Sequence, residues 1–185
     1  MQRRYQHHAD GDGPFANGVE TKGMERTFIM IKPDGVQRGL VGEVISRFES
    51  KGYKLVAMRL FHADRERVEE HYAEMRPETF YSGLIKYMLS GPVVGMVWEG
   101  TNVISLGRKL IGATMPRNAK MGTIRGDLCI TVGRNVCHGS DSRTSAEAEI
   151  KLWFPELTKE TGGWNRTTDQ WIFENRALAR RPGHK

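Results

Sequence analysis

The chain has 185 residues, of which 38% are hydrophobic and 27% charged, enough apolar content for one folded domain plus tails. A mean hydropathy of -0.52 and the lack of any apolar run near ~20 residues argue against a membrane protein, and residues 1–24 lack the apolar centre of a secretory signal. The net charge of +6 is unevenly placed: residues 1–24 sum to zero, 176–185 carry +4 and 25–175 only +2, so the basic balance does not indicate a nucleic-acid-binding domain.

Residues 1–24 are glycine-rich and poor in apolar side chains, and read as a disordered leader. Order is expected from Met24 or Glu25, with Arg26 to Ile31 a short apolar strand stopped by Lys32-Pro33-Asp34-Gly35. Val41, Val44, Ile45 and Phe48 recur at helical spacing, and Gly52 stands where a helix ends. Tyr53 to Phe61 reads as a second strand. Asp64 is a candidate N-cap for a helix carrying Val68, Tyr72 and Met75, and Phe80, Leu84 and Met88 mark another. Pro92 to Trp98 is a third strand, apolar enough to be buried on both faces. Thr101 or Asn102 then caps a helix with Val103, Leu106 and Leu110 inward, leaving Arg108 to point elsewhere.

A glycine-punctuated loop of about fifteen residues follows, from Gly112 to Gly126, and a loop of that length in a compact domain is usually functional. Leu128, Ile130 and Val132 alternate as a fourth strand, with Arg125 at its start. Thr144 and Glu147 form a capping box for a last helix with Ala146, Ile150 and Trp153 inward. Residues 155–175 read as a packed segment rather than a linker. Without the extra helices the order is β-α-β-β-α-β, which predicts a ferredoxin-like α+β domain over 25–175, with a mostly antiparallel four-stranded sheet, and a basic tail over 176–185.

The densest chemistry lies in Asn135-Val136-Cys137-His138-Gly139-Ser140-Asp141, placed just beyond that fourth strand. A neutral imidazole suits attack on phosphorus, since an ordinary histidine pKa of about 6.5 leaves it mostly unprotonated at neutral pH. The alternatives are a plain surface histidine or a metal ligand. Cys137 and Cys129 do not fit zinc spacings, and neighbours on an extended segment point opposite ways. Two cysteines also make no disulfide framework and fit a reducing compartment, the cytoplasm. Lys32, Arg108, Arg125 and Thr114 could together clamp a polyphosphate. Neither a Walker A loop nor a kinase glycine loop is present.

These blocks carry a resemblance. Glu25 to Arg38, Ser90 to Gly100, Gly122 to Asp127 and Asn135 to Ser142 resemble, in order, the motifs of nucleoside diphosphate kinases, and the likeness runs from about Glu25 to Glu174. The resemblance implies exchange of a γ-phosphoryl between nucleoside tri- and diphosphates by a ping-pong mechanism, with His138 as phosphoryl acceptor and donor. It implies that Lys32 and Tyr72 contact the transferred group, and that Arg108, Thr114 and Arg125 hold the other phosphates. Asn135 would bind the ribose 3′-hydroxyl, and Phe80 and Val132 would sandwich the base. Glu149 would fix the imidazole tautomer with support from Ser140. Mg²⁺ would enter on the nucleotide phosphates with no metal ligand from the protein. A homo-oligomer, a hexamer, is implied too, with Pro116 retained at a subunit contact. Glu78 and Thr79 stand where the family usually has a basic residue and proline. Two rivals are an inactive nucleotide-binding homologue, which would normally have lost Lys32, Arg125 or His138, and nucleic-acid binding through the basic tail.

Overall fold

In a computed structural model, residues 24–157, 164 and 166–172 are described. The expected basic tail 176–185 and all of the expected leader but Met24, which begins the first strand, lie outside them. The chain forms one compact unit over Gly23–Arg166, and a second unit whose described part, residues 167–172, holds the 3₁₀ turn Asp169–Trp171.

Four strands build the first unit: β1 (Met24–Ile31), β2 (Lys54–Phe61), β3 (Val93–Thr101) and β4 (Cys137–Gly139), in the order β2-β3-β1-β4 with every pairing antiparallel. Seven α-helices accompany them: α1 (Pro33–Gln37), α2 (Val41–Ser50), α3 (Arg65–His71), α4 (Tyr81–Met88), α5 (Val103–Ile111), α6 (Ile124–Leu128) and α7 (Arg143–Trp153). This is the ferredoxin-like split βαβ arrangement expected from the element order.

Strand alternation sorts the core into two layers. Ile29 and Ile31 of β1 face one side with Val94, Met96 and Trp98 of β3, against Val44 and Phe48 of α2 and Val103 and Ile111 of α5. Phe28 and Met30 face the other side with Val93 and Val97, against Val68, Ile85, Met88 and Trp153 from α3, α4 and α7. β3 is thus buried on both faces, as its apolar run implies. Gly95 is needed there: a Cβ would lie 2.9 Å from the Phe61 ring and 3.2 Å from Phe28.

Local signals behaved as physical chemistry asks. Gly52, at φ 95, ends α2 with Gly52 N–H on Glu49 O and Tyr53 N–H on Phe48 O, a Schellman pair. Asp64 caps α3, its Oδ1 accepting from Arg67 N at 2.8 Å.

Three local expectations are corrected. The fourth strand is not 128–132 but Cys137–Gly139: Leu128 ends α6, Ile130 is 93% exposed, and Val132 lies in a 3₁₀ turn. Arg125 therefore sits in a helix, and His138 in the strand itself rather than beyond it. The cap of α7 is Ser142, whose Oγ accepts from Ser145 N at 3.1 Å, while Glu147 pairs with Arg143 instead of forming a capping box with Thr144. Asn102 does precede α5, but its side chain makes no cap bond. Of residues 155–175, the described Trp164 and Arg166 dock on the sheet edge, donating to Leu55 O and to Tyr53 O and Gly52 O.

Candidate active site

β4 pairs Met30 with His138, so His138 points to the same face as Phe28 and Met30, toward α3 and α7. Cys137, its neighbour, turns into the opposite layer and is fully buried, which pushes its thiol up to about 12. The two cannot act together, as extended backbone requires.

On its own face His138 meets a chain of partners. Its Nε2 lies 2.8 Å from Glu149 Oε1, and Ser140 Oγ donates to Glu149 Oε2 at 2.6 Å. Ser140 is fully buried and also accepts from Phe28 N at 3.2 Å, which ties the carboxylate to β1. A carboxylate only accepts, so the proton of a neutral His138 resides on Nε2 and Nδ1 keeps its lone pair.

The chain enters β4 through a forced turn. Val136 has φ 65, and Cys137 N–H reaches back to Asn135 O at 2.7 Å, a γ-turn. A buried β-branched residue in that region costs about 1–3 kcal/mol. Asp34 Oδ2 accepts from Val136 N at 3.1 Å and Lys32 N donates to Val136 O at 2.8 Å. Gly35 makes room, since a Cβ there would lie 3.0 Å from Val136 O. Tyr87 donates its hydroxyl to Asp34 Oδ1, and Arg134 lies over the Tyr87 ring at 4.2 Å.

Beyond the turn the cationic groups converge. Lys32, at the end of β1, gives Nζ to Asn135 Oδ1 at 2.9 Å, and Asn135 Nδ2 donates to Thr114 O at 3.2 Å. Burial, then the charge of Arg125, pushes the Lys32 pKa down to about 8. Arg125 donates Nε to Asn135 O, one terminal nitrogen to Gly112 O at 3.1 Å and the other to Cys137 O at 2.7 Å. Those bonds use three of the five N–H groups of a guanidinium, so two remain for a ligand. Arg108 donates to Gly139 O at 3.0 Å. Tyr72, in the same cleft, is 4% exposed; burial and Glu149 raise its pKa, which keeps the hydroxyl a donor.

All these groups line one cleft of about 1540 Å³, with Phe80 and Val132 at its open end, 55% and 48% exposed. Every site residue expected from sequence lines it except Ser140, which stands behind Glu149. Sequence reasoning missed His71, Trp153, Asp34 and Tyr87. No motif marks His71, Trp153 or Tyr87, and Asp34 lies in the Glu25–Arg38 block as turn chemistry only; each acts through a contact that only the fold creates.

Among the described residues one group offers metal-ligand chemistry: a nitrogen of His71, a nitrogen of His138 and a Glu149 oxygen lie within 4.8 Å of one another. Their hydrogen bonds argue against a cage. Trp153 Nε1 donates to His71 Nδ1 at 3.2 Å, and both Glu149 oxygens already accept. Of the two imidazoles, only His138 keeps a ring-nitrogen lone pair, on Nδ1, that no hydrogen bond among the described residues engages.

The comparisons with known proteins agree with this geometry. Residues 25–158 match the family model described as nucleoside diphosphate kinase. The chain is 58% identical over 150 residues to a nucleoside diphosphate kinase of Drosophila yakuba, covering 81% of this chain and 99% of the relative. It is 57% identical over 152 residues to the human nucleoside diphosphate kinase B, covering 82% and 98%. A halophilic nucleoside diphosphate kinase from Halobacterium salinarum, solved in complex with CDP, superposes with a TM-score of 0.77 at 45% identity, covering 81% of this chain and 99% of that one. A cleft that gathers lysine, arginines and an oriented histidine, on this fold and with these relatives, leaves one conclusion: the chain belongs to the nucleoside diphosphate kinase family and is a phosphotransferase that exchanges the γ-phosphoryl between nucleoside tri- and diphosphates.

Proposed function

We propose that the exchange runs in two half-reactions through a phosphohistidine on Nδ1 of His138. The observation that supports this is the His138–Glu149–Ser140 chain, whose 2.8 Å and 2.6 Å links favour an imidazole proton on Nε2. The Nδ1 lone pair attacks the γ-phosphorus, the bond to the β–γ bridging oxygen breaks, and the diphosphate leaves. No proton has to depart, because Nδ1 carried none. The phosphorylated ring gains positive charge, which the Glu149 carboxylate offsets. A second diphosphate then attacks along the same line in reverse. The phosphorus–nitrogen bond keeps the transfer potential that a serine ester would lose, so the nucleophile is reusable.

Lys32 and Tyr72 would contact the moving phosphoryl, and Arg108, Thr114 and Arg125 the remaining phosphates. Asn135 would take the ribose 3′-hydroxyl, with Phe80 and Val132 on either face of the base. Lys32, Arg108 and Arg125 line the phosphate end of the cleft, and Glu149, the carboxylate against His138, is already engaged by two hydrogen bonds. Mg²⁺ would therefore be held by the nucleotide's own phosphate oxygens, where it neutralises their charge.

We further propose a homo-oligomer, a hexamer, working in the cytoplasm. β2 is a sheet edge that exposes Met58 and Leu60 at 51% and 55%, an edge that calls for covering. Two free cysteines suit a reducing compartment. No helix among the described residues is long and apolar enough to cross a membrane.

Incubation with γ-labelled ATP and Mg²⁺, without acceptor, should label the protein with an acid-labile, base-stable phosphate that any nucleoside diphosphate discharges. His138→Ala should abolish the label and lower turnover by at least ~10⁴-fold while retaining nucleotide binding. An acid-stable label, or near-normal turnover in that variant, contradicts the mechanism. Sedimentation equilibrium tests the assembly; a monomer at micromolar concentration contradicts it.

A further inference from the structure

His71 closes α3 and has no part in the roles above, yet its ring touches the nucleophile. The two imidazoles meet edge to face, with centroids 4.6 Å apart and planes at 78°. On another side, Trp153 of α7 donates Nε1–H to His71 Nδ1 at 3.2 Å. An indole nitrogen can only donate, so Nδ1 must present a lone pair and the proton of the ring resides on Nε2. That Nε2 is buried and has no hydrogen-bond partner among the described residues. A ring placed for its own hydrogen bonding would not leave a buried N–H unmet.

The surroundings also keep His71 uncharged. Burial, then the neighbouring His138 of β4 and Lys32 of β1, hold its pKa well below the ordinary histidine value. A second proton would set Nδ1–H against the Trp153 N–H, donor against donor. Trp153 is itself fixed, stacked on Phe28 at 5.7 Å and edge-on to Phe61 at 5.1 Å.

We propose that His71 is a positioning residue for phosphoryl transfer: locked neutral by Trp153, it is the wall that holds the His138 imidazole with Nδ1 aimed at the phosphorus. Glu149 anchors one edge of His138 and leaves the ring free to swing about that anchor. A rigid ring packed at right angles removes the swing. The wall must be neutral, because a cation in contact with His138 would oppose the positive charge that the ring gains on phosphorylation. This inference rests on His138 being the nucleophile.

The test compares single-turnover phosphorylation by Mg–ATP in the parent, His71→Ala and His71→Phe. His71→Ala should slow phosphorylation about thirtyfold while the Kd for ATP changes less than about threefold, since misplacement costs rate and not binding. His71→Phe restores a neutral wall and should recover about tenfold of that loss. A folded His71→Ala protein within about threefold of the parent rate overturns the proposal, as does a His71→Phe protein as slow as the alanine variant. ¹⁵N NMR of the unmodified protein supplies an arm independent of variant folding: His71 should remain the neutral Nε2–H tautomer between about pH 5.5 and 8. A charged His71, or the Nδ1–H tautomer, at pH 7 also overturns it. A parent protein that takes no label under the same conditions fails the phosphohistidine mechanism instead, so the two failures are distinguishable.

Discussion

The two ends of the cleft are built on opposite principles. At the phosphate end Lys32, Arg125 and Asn135 are 9%, 5% and 3% exposed, and each is hydrogen-bonded to a neighbour before any nucleotide arrives. At the other end Phe80 and Val132 are about half exposed and offer only apolar contact. Preorganised dipoles discriminate strongly, because a ligand lacking the matching group leaves buried polar atoms unmet; apolar contact discriminates weakly. On the roles proposed above, the cleft would demand a polyphosphate and a ribose hydroxyl while tolerating any base.

Removing Arg125 should break the demanding end most severely. Arg125→Ala strands the carbonyls of Gly112 and Cys137, at about 1–3 kcal/mol for each buried group left unmet, and removes one of the two bonds to Asn135 O. Melting by calorimetry should fall by roughly 10 °C, with kcat/KM down at least about a hundredfold. A Tm within about 2 °C of the parent would mean that those bonds do not hold the loop to β4.

The tolerant end should respond less, and evenly. Phe80→Ala should raise KM about tenfold for adenine, guanine, cytosine and uracil diphosphates alike, with kcat little changed, as loss of one stacking face predicts. A change concentrated on one base by more than about a hundredfold would show that Phe80 discriminates and does not merely support.

The smallest effect is a proton. Lys32 has a folded pKa of about 8, below its ordinary value of 10.5, so its burial costs stability at low pH and that cost fades as pH rises through 8 toward 10.5. A bound phosphate favours the charged form. Nucleotide binding above pH 8 should then take up as much as about one proton, read by calorimetry in buffers of different ionisation enthalpy, and KM should climb with pH over the same window. Buffer-independent heats at pH 9 would remove Lys32 from the phosphate site.

Much of this was legible in the sequence, for unequal reasons. β1 and β3 announced themselves because eight or nine residues with apolar runs give a period to read. β4 did not: three residues, one of them His138, carry no period. The nearby alternation of Leu128, Ile130 and Val132 mimicked a strand, although Leu128 is partly buried against the core and Ile130 lies in solvent. The expected residues still converge on one cleft, Ser140 behind it, because the short motifs resemble a family whatever element holds them. His71 stayed invisible, since a lone histidine gains meaning only from what it touches, and Asp34 was legible only as part of a turn, not as the acceptor for Val136 N.

The turn at Val136 joins the chemistry to the cooperativity of folding. A β-branched residue at φ 65 is uphill on its own and stays there only while Asp34, Gly35 and the amide of Lys32 surround it. β4 is held to β1 across just three residue pairs, so losing that pairing releases Val136 to ordinary backbone angles and carries His138 away from Glu149. The segment has no half-docked resting place. Opening of residues 135–139 should therefore be all-or-none, with the amides of 136–139 exchanging with solvent together and His138 either seated against Glu149 or released with them.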